Sequence, residues 1–364
     1  MEYLIVAYKL FTFKGIKISI HWSFLVLFGA IIAGYAFVEG TEMALVAGLF
    51  IIALFSSVMI HEFVHSFIAA SFGFPANEIT LYPLGGMSKI KEMPREPKQE
   101  FIMTIFGPIS NLIIAGIAFS VGLILEGTSS ELFGYTFDQY VFTFALMNLV
   151  LGLFNLVTPA FPMDGGRLLR SVLATQMPFP RATKIAVTVS RYVAFFLAII
   201  GFFFNLFLIL IAVFIYIAGT SEMEGTISRY LLEDVPVGDM MSKEVKTVSA
   251  YLTINDFLDK LLTEGHLGYL VEDNGQVVGM LTLENARSVP KEQRDEVVIG
   301  QVMRKDLYGV ATSDPASKAL QMMQENDIGR VLVYDPENSS NYEGIVTRSD
   351  LFRYVKIKNV VEGY

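Results

Sequence analysis

Two histidines with a glutamate beside them are the part of this sequence best suited to do chemistry. His61, Glu62 and His65 form an H-E-x-x-H pattern, which places both imidazoles on one helix face at the spacing of zinc ligands. Residues 45–55, shortly before this pattern, are all apolar or glycine. We therefore predict a hydrolytic zinc site within or close to a lipid bilayer.

Six apolar segments are predicted to cross a bilayer, for which a helix needs about 20 mainly apolar residues. The chain of 364 residues is 53% hydrophobic and 17% charged, whereas soluble proteins carry roughly 25% charged residues. The predicted spans are residues 18–38, 43–65, 101–125, 138–158, 184–203 and 205–219. The last two adjoin and could form one long helix. Residues 1–17 alternate and contain a glycine, which favours a short strand or hairpin on the membrane surface.

Basic residues predict the orientation of these spans. Lysines and arginines precede the first span and follow the second and fourth, whereas residues 39–42 and 126–138 contain none. Loops rich in Lys and Arg stay in the cytoplasm, so we expect a multi-pass protein of the cell membrane with its N-terminus and C-terminal half inside. From Met43 to His61 a helix extends about 27 Å. The two histidines should therefore lie near the cytoplasmic boundary.

A catalytic zinc ion needs a third protein ligand and one open position. Asp164 is the best candidate, because it follows the fourth span and reaches the same membrane face as His61 and His65. Pro159 and Pro162 break the helix ahead of it, which lets the carboxylate turn back toward the second span. Taken alone, an Asp-Gly pair after proline would be read as a turn.

Further motifs accompany the histidine pair. They are the run from Asn155 through two prolines to Asp164 and Gly165, the G-P-x-x-N run from Gly107 to Asn111, and the segment Ile20–Ser23. Together, over roughly residues 1–220, they resemble the site-2 protease family of intramembrane zinc metalloproteases. The resemblance implies one zinc ion per chain, held by His61, His65 and Asp164. It also implies Glu62 as the general base that takes a proton from the attacking water.

Other polar residues near these motifs have open roles. Asn155 could hydrogen-bond the substrate or an oxyanion, or it could cap a helix. Gly107 and Asn111 are interpreted as helix-packing residues, because small and polar groups bring membrane helices together. His21 is interpreted as an interfacial residue and not as a ligand.

Residues 79–90 follow the zinc motif on the same side of the membrane. Their short apolar runs around Gly85 and Gly86 are consistent with an edge strand that pairs with an extended substrate. An ordinary re-entrant or interfacial loop is the alternative.

The C-terminal part of the chain is acidic and contains an internal repeat. Residues 1–220 are neutral overall, so residues 221–364 carry the whole net charge of -9. Residues 237–241 recur at 299–303, and residues 279–285 parallel 344–350. A period of about 60 residues indicates duplication. Each copy is predicted to contain one amphipathic helix and one short apolar strand: Ile254–Glu264 with Tyr269–Val271, and Ala316–Asn326 with Val331–Val333.

This repeat resembles a tandem pair of CBS (cystathionine β-synthase) domains. The predicted domains are a protease domain at 1–220, a linker at 221–234, and CBS domains at 235–290 and 297–356. The resemblance implies binding of ATP or AMP through a G-x-x-[ST]-x-x-[DN] segment. Thr347 with Asp350 fits this segment well, and Thr282 with Asn285 is a weaker match. Either pair could instead only cap a helix.

The predicted fold class is a polytopic α-helical membrane protein with a C-terminal cytosolic α/β module. The predicted function is zinc-dependent cleavage of transmembrane segments, with regulation by adenine nucleotide or by dimerisation through the CBS pair. The alternative is a CBS-gated ion transporter or channel. The absence of cysteine excludes disulfides and a thiol nucleophile, and the acidic half argues against a nucleic-acid partner.

Overall fold

A computed structural model describes residues 7–83, 85–90, 96–127, 131–132, 135–265 and 268–362. Two compact units divide the chain after Met223. The first unit is mainly helical and carries the H-E-x-x-H pattern. The second unit contains the internal repeat.

Long apolar helices dominate the first unit. Its helices are α1 (Trp22–Val38), α2 (Thr41–Ser71), α3 (Pro97–Leu125), α4 (Phe137–Val157), α5 (Asp164–Ala174), α6 (Phe179–Phe204) and α7 (Leu206–Glu233). Within the described residues, five of them (α2, α3, α4, α6 and α7) are long and apolar enough to cross a membrane. At 17 residues, α1 is equally apolar but shorter.

The predicted fifth and sixth spans are separate helices. Asn205 lies between α6 and α7 with an extended backbone, and its side chain accepts a hydrogen bond from the backbone N–H of Phe207. A Cβ at Gly201 would lie 2.8 Å from the backbone nitrogen of Ile209. The start of α7 therefore folds back against the end of α6, and only glycine permits this approach.

A four-stranded sheet packs against α2. Its strands are β1 (Ala7–Phe13), β2 (Ile16–His21), β3 (Ala76–Tyr82) and β4 (Gly85–Ile90), in that order across the sheet. The β1–β2 and β3–β4 pairs are antiparallel hairpins, and β2 runs parallel to β3. Ile18 and Ile79 are fully buried against Met59 and Phe63 of α2. The sheet is thus held beside the zinc motif, with β4 at its edge.

A two-stranded hairpin, β5 (Glu131–Leu132) with β6 (Tyr135–Thr136), precedes α4. After α4, residues 158–163 form a turn that leads into α5. Phe161 in this turn is buried against α6, and its backbone N–H donates to the Ser190 hydroxyl at 2.9 Å. The prolines thus end α4 as predicted, and a short helix that was not predicted begins at Asp164.

The second unit contains two copies of one α/β arrangement. The first copy has β7 (Thr247–Ser249), α8 (Ile254–Glu264), β8 (Gly268–Asp273), β9 (Gln276–Thr282) and α9 (Leu283–Arg287). After α10 (Ile299–Val302), the second copy has β10 (Gly309–Ala311), α11 (Ala316–Glu325), β11 (Arg330–Asp335), β12 (Asn338–Thr347) and α12 (Arg348–Glu362). In each copy a three-stranded sheet pairs its first two strands in parallel and its last two antiparallel.

The segment that leads into each copy pairs with the other copy. Ser242, ahead of the first copy, exchanges two backbone hydrogen bonds with Ile345 of β12, at 2.8 and 3.0 Å. Arg304, ahead of the second copy, exchanges two with Met280 of β9, both at 2.9 Å. The two copies are therefore joined reciprocally by their own backbones.

Candidate metal centre

Helix α2 presents the two histidines of the motif toward one point. His61 and His65 are four residues apart, so their side chains share a helix face. Both are buried, and their Nε2 atoms lie 3.0 Å apart. Burying two imidazole nitrogens in an apolar interior costs free energy unless they have a polar partner or a metal ion.

The Asp164 carboxylate completes this cluster. Its Oδ2 lies 3.1 Å from Nε2 of His61 and 3.3 Å from Nε2 of His65. Asp164 is buried, and it is the first residue of α5, where the helix dipole favours a negative charge. Two stretches of chain about 100 residues apart therefore meet at one point.

The donor set and its spacing fit a zinc ion. Two imidazole nitrogens and a carboxylate oxygen are typical ligands of catalytic zinc. Ligand atoms about 2.0–2.2 Å from a tetrahedral zinc ion lie roughly 3.3–3.5 Å from one another, and the three separations here are 3.0 to 3.3 Å. Among the described residues, this is the one group of three or more His, Asp or Glu side chains close enough to hold a metal.

Helix α3 orients both imidazoles. Nδ1 of His61 lies 2.5 Å from Oδ1 of Asn111, and Nδ1 of His65 lies 2.8 Å from the carbonyl oxygen of Met103. Both oxygens accept hydrogen bonds, so each Nδ1 carries the proton and each Nε2 lone pair is available to a metal. The Asn111 amide also donates to Oδ1 of Asn148 on α4 at 3.1 Å, which fixes the direction of its own oxygen.

Gly107 and Asn111 were both interpreted as helix-packing residues. In the structure, both lie directly against the histidine pair. A Cβ at Gly107 would lie 2.1 Å from Nε2 of His65 and 2.9 Å from Nε2 of His61. Met103, Gly107 and Asn111 repeat every four residues and so form one stripe on α3. That repeat was the signal in the sequence that could have identified them as contacts of the site.

The first turn of α5 depends on two glycines. A Cβ at Gly165 would lie 2.2 Å from the carbonyl oxygen of Thr158, and one at Gly166 would lie 2.6 Å from the backbone nitrogen of Phe161. No side chain fits at either position, because backbone atoms cannot move aside as a flexible side chain can. This close packing of α5 on the preceding turn sets the position of Asp164.

Glu62 lies next to the edge strand of the sheet. A Cβ at Gly86 of β4 would lie 2.4 Å from Cγ of Glu62, so the strand backbone passes directly over this side chain. Two residues further along β4, the Ser88 hydroxyl lies 2.9 Å from the Ser66 hydroxyl of α2. The edge strand therefore runs along the same turns of α2 that carry the motif. Leu84, within the predicted edge segment, lies outside the described residues.

Asn155 and His21 are not among the three ligand residues. Asn155 is half-buried in the last turn of α4, and no hydrogen bond of its side chain is found in the described part of the chain. It does not cap the helix, whose last residue is Val157 and whose C-cap residue is Thr158. His21 caps the start of α1 by accepting from the backbone N–H of Ser23, and its ring stacks on Tyr82 at 4.9 Å.

The predicted nucleotide-binding residues form helix caps in both copies. The Thr347 hydroxyl donates to Asp350 at 2.6 Å and accepts from its backbone N–H at 3.2 Å. Thr282 and Asn285 form the same arrangement at the start of α9. Both pairs therefore cap the helices that follow them.

Comparison with known proteins gives matches to both units. The sequence profile of Peptidase family M50 matches residues 49–197, and that of the CBS domain matches residues 237–291 and 299–357. Zinc metalloprotease MJ0392 of Methanocaldococcus jannaschii is 30% identical over 357 residues, which cover 97% of each chain. Stage IV sporulation protein FB of Bacillus subtilis is 30% identical over 161 residues, or 44% of this chain and 50% of that one.

A solved structure, the Site-2 Protease from Methanocaldococcus jannaschii, shares 32% sequence identity with this chain. The match covers 60% of this chain and 95% of that one, with a TM-score of 0.47. The comparisons confirm the predicted class, a helical membrane protein of several spans with a CBS pair. They also favour the metalloprotease interpretation over the transporter alternative.

Gly107→Ala should abolish metal binding, because the new methyl group would occupy the space in which the two Nε2 atoms meet. Metal content of the purified protein measures this directly. Gly116→Ala is the matched control, since it lies on the same helix with nothing within 4 Å of the added Cβ. Alanine favours a helix over glycine by about 1 kcal/mol, so the control should keep its metal. Equal metal content in both variants would contradict the geometry described here.

Proposed function

The chain belongs to peptidase family M50, the site-2 protease family, and we propose that His61, His65 and Asp164 hold its zinc ion for the cleavage of transmembrane segments. The observation that carries this proposal is the convergence of three buried ligand atoms, from α2 and α5, within 3.3 Å of one another. When bound, zinc acts as a Lewis acid: it polarises the scissile carbonyl and lowers the pKa of a bound water molecule to about 7.

Glu62 is the general base of this site. It adjoins His61 in the chain and lies against the backbone of β4, on the side where a substrate can approach. Its carboxylate takes a proton from the attacking water and passes it to the leaving amine. Asn155 is proposed to hydrogen-bond the substrate, since it follows Asn148 by two helical turns on the face of α4 that meets α3.

Strand β4 is the proposed docking edge for the substrate. A transmembrane helix hides its amide groups in internal hydrogen bonds, so it must become extended before it can be cut. On one side β4 pairs with β3, and no strand within the described residues pairs with its other edge. An extended substrate added there would gain main-chain hydrogen bonds beside Glu62.

The cytoplasmic side is the proposed location of both the N-terminus and the CBS pair. The support for this orientation is the distribution of Lys and Arg among the connecting segments. In that orientation, cleavage occurs near the cytoplasmic end of the substrate segment.

Glu62→Gln should abolish cleavage while the protein keeps close to one zinc per chain, because the amide cannot accept the proton. The assay uses purified protein, a single-span model substrate, and parallel samples with a chelator. Glu42→Gln, an exposed position at the start of α2, is the matched control and should cleave normally. Cleavage by the Glu62 variant at the wild-type rate would reject the proposed base. Mass spectrometry of the products shows whether the substrate is cut near the cytoplasmic end of its transmembrane segment, as predicted.

Met87→Pro should abolish cleavage and leave the zinc content unchanged, because proline removes a backbone N–H from the edge strand. Met87→Ala is the control, since it removes the same exposed side chain but keeps the N–H. Cleavage and zinc content are measured for both variants. Normal cleavage by Met87→Pro would refute the docking edge. Loss of zinc in that variant would show that the strand supports the metal site instead.

The second CBS copy is the proposed site for an adenine nucleotide. Arg330 lies directly opposite Thr347 in the β11–β12 ladder, and its Nε atom is buried without a hydrogen-bond partner. Burial lowers the pKa of its guanidinium, so a phosphate group would be a favourable partner. The first copy has Gly268 opposite Thr282, and the Arg330 guanidinium lies against this glycine, where an added Cβ would be 2.2 Å from its Nη1. Dimerisation through the CBS pair stays a prediction.

Arg330→Ala should weaken ATP or AMP binding by roughly 10- to 100-fold, since a hydrogen bond to a charged group contributes about 1.5–3 kcal/mol. Calorimetric titration of the full-length protein measures the dissociation constant. Thr282→Ala leaves Arg330, Thr347 and Asp350 unchanged and should bind the nucleotide more tightly than Arg330→Ala does. If the wild type binds neither nucleotide, or if the Thr282 variant is the weaker one, the proposed site is wrong.

A further inference from the structure

Arg170 is a charged residue that the proposed chemistry does not use, although it lies six residues after Asp164 on α5. Its side chain is 1% exposed. Its Nε donates to Oε1 of Glu100 on α3 at 3.0 Å, and Nη2 donates to the same oxygen. Its Nη1 donates to Oε1 of Glu222 on α7 at 2.7 Å. One guanidinium therefore joins three helices.

Aromatic rings enclose the same guanidinium. It lies 5.0 Å from the ring centre of Phe161 and 4.9 Å from that of Phe179, within the range of a cation–π contact. Phe161 belongs to the turn on which the first turn of α5 is packed. Arg170 thus contacts the turn before α5 and the first residue of α6, which follows α5.

The ion pair is not well built for stability alone. Glu100 is 1% exposed, and its second oxygen, Oε2, is buried with no hydrogen-bond partner. A buried carboxylate oxygen without a donor costs stability, and apolar residues of similar volume often stabilise a fold at least as well as a buried ion pair. A positional role would explain why charged residues occupy this place.

The ion pair joins α5, which carries Asp164, to α3, which orients the two histidines. Glu100 lies one helical turn before Met103, whose carbonyl orients His65. The same helix carries Asn111, which orients His61. Helix α5 supplies the third ligand. The spacing of α3 and α5 therefore decides whether Asp164 reaches the two imidazoles.

We propose that Arg170 is a positioning residue for the metal centre, which sets the distance between Asp164 and the histidine pair by tying α5 to Glu100 and Glu222. The planar guanidinium suits this role, because its rigid fork of donors holds two carboxylates at fixed angles. This proposal rests on the metal ligands proposed above. It predicts an effect on metal affinity and coordination geometry, which a purely structural residue would not change once the fold is restored.

The test compares four variants of the full-length protein. Arg170→Met removes the charge, Arg170→Lys keeps the charge without the fork, and the double variant Glu100→Gln/Arg170→Met removes both charges of the buried pair. Arg181→Met, an exposed arginine of α6, is the control. Chelator competition gives the zinc dissociation constant of each variant. The visible absorption of the Co²⁺-substituted protein reports the number and geometry of the ligands, and thermal unfolding of the metal-free protein reports stability.

Arg170→Met should raise the zinc dissociation constant by about 10- to 100-fold, the range seen when a group that orients metal ligands is lost, and should alter the cobalt spectrum. Arg170→Lys should show a smaller change in the same direction. The double variant should recover stability but not zinc affinity. Arg181→Met should match the wild type. If Arg170→Met does not fold, the zinc dissociation constants and cobalt spectra of Arg170→Lys and the double variant test the proposal instead.

Two results would overturn the proposal. One is a wild-type zinc affinity and cobalt spectrum in the Arg170 variants. The other is a double variant that regains stability and zinc affinity together, which would make Arg170 a purely structural residue. Asp164→Asn, measured in parallel, distinguishes a failure of the Arg170 proposal from a failure of the proposed metal site. If that variant binds zinc as the wild type does, the ligand set itself is wrong, and the role of Arg170 falls with it.

Discussion

The convergence of three buried polar atoms in an apolar interior is the constraint on which this structure depends. Two imidazole nitrogens and one carboxylate oxygen lie within 3.3 Å of one another, and taking such groups out of water is costly unless each has a partner. Helix α3 contributes no ligand, yet it supplies an acceptor to each imidazole through Asn111 and Met103. The metal centre is thus the product of three helices.

Close backbone approach is the means by which these helices meet. Glycine occurs where α3 faces the histidines, where β4 crosses Glu62, and where α5 packs on the turn before it. At each of these points an added Cβ would lie less than 3 Å from another atom. The resulting arrangement is dense around the ligands, and in the part of the chain that the structure describes, the edge of the sheet beside Glu62 has no strand partner.

Local sequence patterns predicted much of this arrangement. The four-residue spacing placed both histidines on one face, and the two prolines before Asp164 indicated that the chain turns back there. The hairpin at the N-terminus and the duplicated acidic half also followed from alternation and repetition. Contacts between distant helices could not be read in this way. Asn111 contacts His61, and Arg170 contacts Glu100 and Glu222. These contacts depend on how the helices pack, which the residue types and spacing within any single segment do not show.

The reciprocal pairing in the acidic unit has a consequence for how such a module can be inherited. Ser242 finds its backbone partner in the second copy, at Ile345, and Arg304 finds its partner in the first, at Met280. Deleting either copy would strip hydrogen bonds from the one that remains and expose a strand edge, which is a hazard for aggregation. The two copies are therefore expected to fold and to be inherited as one unit, even though each repeats the same arrangement of strands and helix.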